Sequence, residues 1–136
     1  MASIRASLYA RPHFRWDELR CRGCDGSCLH SRNGKPLANP TEASLDKLEA
    51  LRVAVGVPLH LNSASRCPLH NARVGGAPLS QHRATAERQS TAYDILIRGF
   101  DKWDLIRVAE EVGFGGIGTG YRSFVHVDDR GHRARW

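Results

Sequence analysis

Nowhere in the 136 residues does an apolar run approach the roughly 20 needed to cross a bilayer, so membrane insertion is not expected. The first stretch, MASIRASLYARPHF, lacks the apolar segment of a secretory leader, which implies a chain made in the cytoplasm that reaches any outside target by another route. Lysine is scarce: only Lys35, Lys47 and Lys102 contribute to the 20 basic residues, so arginine dominates the formal charge of +6. Aromatics make up 7% and never interleave with arginine in a run that could stack single-stranded bases, so nucleic acid is not an expected partner. The glycine-rich stretch GFGGIGTGY at 113–121 has no lysine and does not lead from a strand into a helix, which excludes a phosphate loop. Repeats and low-complexity tracts are absent as well.

What is present suits one soluble domain over 1–136, with 1–12 as an N-terminal arm: 41% of the residues are apolar and 25% charged. A basic surface of this kind favours polyanions, whether nucleic acid, teichoic acid or lipopolysaccharide, or is simply the solvated face of a basic domain. Without an export signal, the four cysteines are not expected to pair as disulfides. Cys21, Cys24 and Cys28, followed by His30, have spacing that invites a structural zinc completed by Cys67 or His30, but the second half of a finger pattern is missing. Buried free thiols are the simpler expectation.

Along the chain, Trp16–Arg20 reads as a helical turn and 22–40, rich in Gly, Asn, Ser and Pro, as a long loop. From Thr41, Leu45, Leu48, Leu51, Arg52 and Val55 recur at helical spacing until Gly56 stops them. PLHLNS at 58–63 alternates as a strand that delivers Arg66 to a loop, and Pro68–Val74 forms a short helix before the Gly75-Gly76 turn. Asp94 opens into the apolar ILI of a buried strand, and a helix from Asp101 to Val112 sets Trp103, Ile106, Val108 and Ala109 against the core. His60 and His70 have no partners at ligand spacing and are read as structural.

The chemistry gathers in SQHRATAERQSTAYD at 80–94 and FVHVD at 124–128, which together supply His82, Asp94, His126 and Asp128. A two-residue period puts Phe124, His126 and Asp128 on one strand face and Val125 and Val127 on the other. A catalytic zinc takes three nitrogen or oxygen donors and leaves a fourth place for water, and His82, Asp94 and His126 can fill the three. The alternative is that these histidines are hydrogen-bonded structural residues.

SQH followed by TAYDI, with FVHVD downstream, resembles the peptidase M15 family of zinc D-Ala-D-Ala carboxypeptidases and L-Ala-D-Glu endopeptidases, whose first motif reads S-x-H-x-x-G-x-A-x-D. Ser80, His82, Ala92 and Asp94 match it, and HFRWDEL at 13–19 and LNSASRCPLHNARVGGAPLSQH at 61–82 extend the likeness to the small single-domain branch that includes phage lysins. The resemblance implies an α+β fold with a small, mainly antiparallel sheet flanked by helices, of the Hedgehog/DD-peptidase type. It further implies Zn2+ held by His82, Asp94 and His126, Arg66 polarising the scissile carbonyl, and a peptidoglycan peptide as substrate of a monomeric murein hydrolase acting at the cell wall. Two features depart from the family. Eleven residues separate His82 from Asp94 where the family has six, with Ser90 in place of the glycine, and Ser123 stands where several members carry the general base. Asp128, the nearest acid on the same strand face, takes the base role, the alternative being a partner for Arg130 or Arg66. The competing functional expectation is a degenerate member that binds cell wall or a virion partner without catalysis.

Overall fold

Thr41 cannot continue a helix backwards, because its side chain turns to accept the Ser44 N–H and so caps the first turn of α2; a shorter α1 covers Trp16–Leu19 and α2 covers Glu42–Val55. At the other end Gly56 adopts φ +80°, a left-handed conformation that costs glycine little, and its N–H closes on the Arg52 carbonyl. The computed structural model describes residues 11–21, 38 and 40–136. Most of the expected arm, most of the long loop, and Cys24, Cys28 and His30 of the cysteine cluster lie outside the described residues. Of that cluster, Cys21 and Cys67 are described: both are buried thiols, and the Cys67 N–H donates to Cys21 Sγ at 3.4 Å.

The remaining elements are β1 (Leu61–Ser63), α3 (Pro68–Arg73), β2 (Ala92–Leu96), α4 (Lys102–Glu111), β3 (Gly116–Gly118), β4 (Phe124–Asp128) and β5 (Ala134–Arg135). The strands form one sheet in the order β1-β2-β4-β3-β5, antiparallel throughout except for the parallel β3–β5 pair. This is the α+β class with a mainly antiparallel sheet that the sequence led us to expect.

One sheet face is apolar, carrying Tyr93 and Ile95 of β2, Ile117 of β3 and Val125 and Val127 of β4. Against it pack Leu45, Leu48 and Leu51 of α2 and Leu105, Val108 and Ala109 of α4, all buried. Each such side chain removed from water contributes about 1.5–3 kcal/mol. The core also holds one polar tie, Tyr93 Oη to Ser44 Oγ at 2.7 Å, which joins α2 to β2. Burial pushes the Tyr93 phenol well above its ordinary value, so it remains a neutral hydrogen-bonding group. Trp103 departs from expectation: it is 64% exposed, under the Lys102 ammonium, because the buried stripe of α4 runs through Leu105, Val108 and Ala109. The opposite face of the sheet carries the polar residues.

Candidate metal centre

Antiparallel pairing sets Asp94 of β2 directly opposite His126 of β4, and on the far side of β4 the sheet offers only glycines on that face, Gly118 opposite His126 and Gly116 opposite Asp128. The glycines make room. A Cβ on Gly116 would stand 2.3 Å from Asp128 Oδ1, and one on Gly118 would stand 2.6 Å from Trp136 Nε1. Gly116→Ala should therefore be destabilised by about 1–3 kcal/mol through overpacking. Denaturant unfolding measures this, and an unchanged midpoint would show that the carboxylate moves aside freely.

His82 reaches the sheet from a loop docked along the segment after β1. The Arg66 N–H donates to the His82 carbonyl and the Ala84 N–H to the Arg66 carbonyl, both at 2.7 Å. The five extra residues between His82 and Asp94 do not push the ligands apart, because the loop closes on itself. Thr85 Oγ1 accepts from the backbone N–H groups of Glu87 and Arg88, and the Arg88 guanidinium donates to the carbonyls of Leu79, Ser80 and Arg83. Ser90, in the place of the family's glycine, is buried and hydrogen-bonds Ser65 at 2.7 Å. Thr91 is tied back to Gln81 through both backbone and side chain.

His82, Asp94 and His126 are all buried and converge. His82 Nε2 is 3.0 Å from Asp94 Oδ1 and 3.3 Å from His126 Nδ1, which is itself 3.0 Å from the same Asp94 oxygen. The outer nitrogens decide what these contacts are. His82 Nδ1 lies 2.6 Å from the Ala64 carbonyl, and His126 Nε2 lies 2.7 Å from Asp128 Oδ2; both partners are acceptors, so both outer nitrogens carry the hydrogen. In the neutral rings, Nε2 of His82 and Nδ1 of His126 are then bare, and two lone pairs and a carboxylate oxygen face one another in a buried space. Only positive charge can hold that arrangement together. Three donors at about 2.0–2.1 Å from one tetrahedral ion stand about 3.3 Å apart, which these distances match to within a few tenths of an ångström. The donor set fits zinc.

Burial lowers the His126 pKa, but Asp128 and Asp94 outweigh it and raise the imidazole above its ordinary value. Burial would likewise raise the Asp94 carboxyl, yet His126 and His82 hold it well below the usual carboxylate range. His82, Asp94 and His126 would hold a metal ion in their deprotonated donor forms, so protons would compete with it for the centre.

Arg66 lies beside the centre. Its three nitrogens are separately engaged, Nε donating to Ser63 Oγ at 3.0 Å, Nη1 to Asn71 Oδ1 at 3.3 Å and Nη2 to Asp94 Oδ2 at 3.3 Å. Asp128 sits behind His126, with no exposed surface and both oxygens occupied: Arg130 donates to Oδ1 from Nε at 2.8 Å and to Oδ2 from Nη2 at 2.7 Å, while His126 takes Oδ2 as well. Burial would raise this carboxyl, but Arg130 and His126 hold it at about 2. His60 is exposed and His70 half-buried, and neither belongs to the ligand cluster found among the described residues.

The centre opens into a cleft of about 560 Å³ whose lining includes Leu79, Ser80, Tyr121, Phe124 and Trp136. Among the described residues, Asp94 is the only carboxylate that lines it. No local sequence pattern marks Tyr121 and Trp136 as cleft residues. The signal was the strand GIG, since two glycines on one strand face leave a space that some distant side chain must fill.

The family model described as Peptidase M15 matches residues 12–128. No curated protein matches the chain. The matched segment begins one residue before His13 and ends on Asp128, the last residue of β4, so it takes in the sheet face, the His82 loop and Arg66 together, and the chain belongs to the peptidase M15 family.

Proposed function

We propose that this protein is a zinc-dependent peptidase that hydrolyses amide bonds in the stem peptides of peptidoglycan, working as a single monomeric domain at the cell wall in the setting of a phage lysin or virion-associated enzyme. Family membership supplies peptide hydrolysis. The observation that carries the zinc reading is the convergence of His82 Nε2, Asp94 Oδ1 and His126 Nδ1 within 3.0–3.3 Å, with both imidazoles oriented by acceptors on their outer nitrogens. Bound there, zinc supplies a Lewis acid and lowers the pKa of a water to about 7.

The chain's own residues divide the remaining work. Ala64 and Asp128 fix the two imidazoles as nitrogen donors, in the manner of carboxylate–histidine pairs behind metal sites. Arg66 holds Asp94 and brings a cation to the cleft lining, where it can polarise a carbonyl oxygen and stabilise the charge that develops on it. Asp128, with its oxygens filled by Arg130 and His126, is better suited to positioning His126 than to accepting a proton from water. The net positive charge favours encounter with an anionic envelope.

A second reading is supported by the cleft lining. Ser123 is exposed where several relatives carry the general base, and no carboxylate besides Asp94 lines the cleft among the described residues, as expected of a member that binds wall peptide without cutting it. One preparation separates the two. Purified protein should hold about one zinc per chain and release new amino termini or D-amino acids from murein, and His126→Ala should lose both. Stoichiometric zinc without any release supports the binding protein instead, and an unchanged zinc content in His126→Ala would sink the metal assignment.

A further inference from the structure

The geometry points to Tyr121 as a substrate-binding residue that donates its phenolic hydrogen to a carbonyl or carboxylate oxygen of the peptide in the cleft. The assignment rests on the peptidase reading above and names a contact that reading does not contain.

Tyr121 lies between β3 and β4 and lines the cleft together with His82, Asp94 and His126. Its ring is stacked on Phe124, with centroids 4.4 Å apart and planes 15° from parallel. Its oxygen is 2.9 Å from Trp136 Nε1. An indole nitrogen can only donate, so the tyrosine oxygen is the acceptor in that bond and its own hydrogen is left for another partner. Among the described residues no acceptor takes it.

The position of that oxygen is fixed by what surrounds it. Trp136 rests against Gly118, where no side chain fits, with its ring 5.0 Å from the His126 ring and the Arg130 guanidinium 4.8 Å above it. The contact series His126, Trp136, Tyr121 therefore ties the phenol to the sheet that carries two of the three ligands. The loop backbone is held as well, by the Lys102 ammonium on the carbonyls of Thr119 at 2.5 Å and Tyr121 at 3.4 Å. Leu79 and Ser80 also line the cleft and bring no acidic group. The Tyr121 donor and the Arg66 cation, both lining the cleft, together suit a ligand rich in acceptor oxygens, as a peptide with free carboxylates is.

The test compares wild type with Tyr121→Phe, which keeps the ring stack and removes only the hydroxyl. The probe is a synthetic murein stem pentapeptide, titrated calorimetrically into zinc-free protein and then used as substrate for zinc-loaded protein. We expect binding to the zinc-free variant to weaken about tenfold, as for one lost neutral hydrogen bond, and kcat/KM to fall by at least as much, with zinc content and Tm unchanged. Equal binding and equal kcat/KM in the two proteins, with wild type active, overturn the Tyr121 assignment alone. A wild type that neither binds nor cleaves the peptide overturns the peptidase reading and this assignment with it.

Discussion

After dialysis against a weak chelator, His82→Ala is expected to retain little of the zinc held by wild type. Structural zinc sites bind with roughly 10–16 kcal/mol, so losing one of three protein donors should weaken affinity by a factor on the order of 10²–10³ or more. His82 reaches the centre from the loop rather than the sheet, so its removal leaves the Asp94–His126 strand pair intact and the loss is not a matter of unfolding. The same assay settles which carboxylate completes the set. Asp94 Oδ1 is within 3.0 Å of both imidazoles, whereas Glu87 is exposed and turns back on Thr85 within the closed loop. Asp94→Asn should lose zinc and Glu87→Gln should keep it, since each amide removes a charge with little change of shape. Zinc retained by Asp94→Asn and lost by Glu87→Gln would refute the ligand set.

Turnover should suffer most, apart from the ligands themselves, in Arg66→Lys. The three nitrogens of Arg66 meet Ser63, Asn71 and Asp94 separately, a spread that one ammonium group cannot reproduce. If the guanidinium also stabilises the oxyanion, kcat should fall by about 10²–10³, the usual effect of removing one such donor. Zinc content should remain near one per chain, because Asp94 stays opposite His126 in the sheet. Kinetics on a murein stem peptide, with zinc measured on the same sample, check the expectation. Wild-type turnover in Arg66→Lys would reduce Arg66 to a structural brace.

The ease with which these residues can be read from the sequence follows the range of the forces that place them. Thr41 and Gly56 mark the ends of α2 because capping is settled within one turn, and the FVHVD alternation gives both the core face and the site face of β4 because strand geometry repeats every two residues. Trp103 misled because it shares a helical face with Ile106, yet the stripe that meets the sheet is centred on Leu105, Val108 and Ala109. The outcome of the five-residue insertion depended on Arg88 reaching carbonyls as far back as Leu79, which no local pattern announces. Asp128 was ambiguous for a similar reason. Its work depends on which nitrogen of His126 turns toward it, and on whether Arg130, two residues on, folds back over it.

The pairing of β2 with β4 protects the centre against misassembly. Asp94 meets His126 in the same register that matches Tyr93 with Val127 and Ile95 with Val125. Slipping one strand by a single residue would turn its donor inward and its apolar partners outward, and each large apolar side chain brought into water costs about 1.5–3 kcal/mol. The hydrophobic core thus acts as a proofreader for the polar face: a chain that has buried its valines and isoleucine correctly has already brought two of its three donors together, and only the His82 loop remains to be docked.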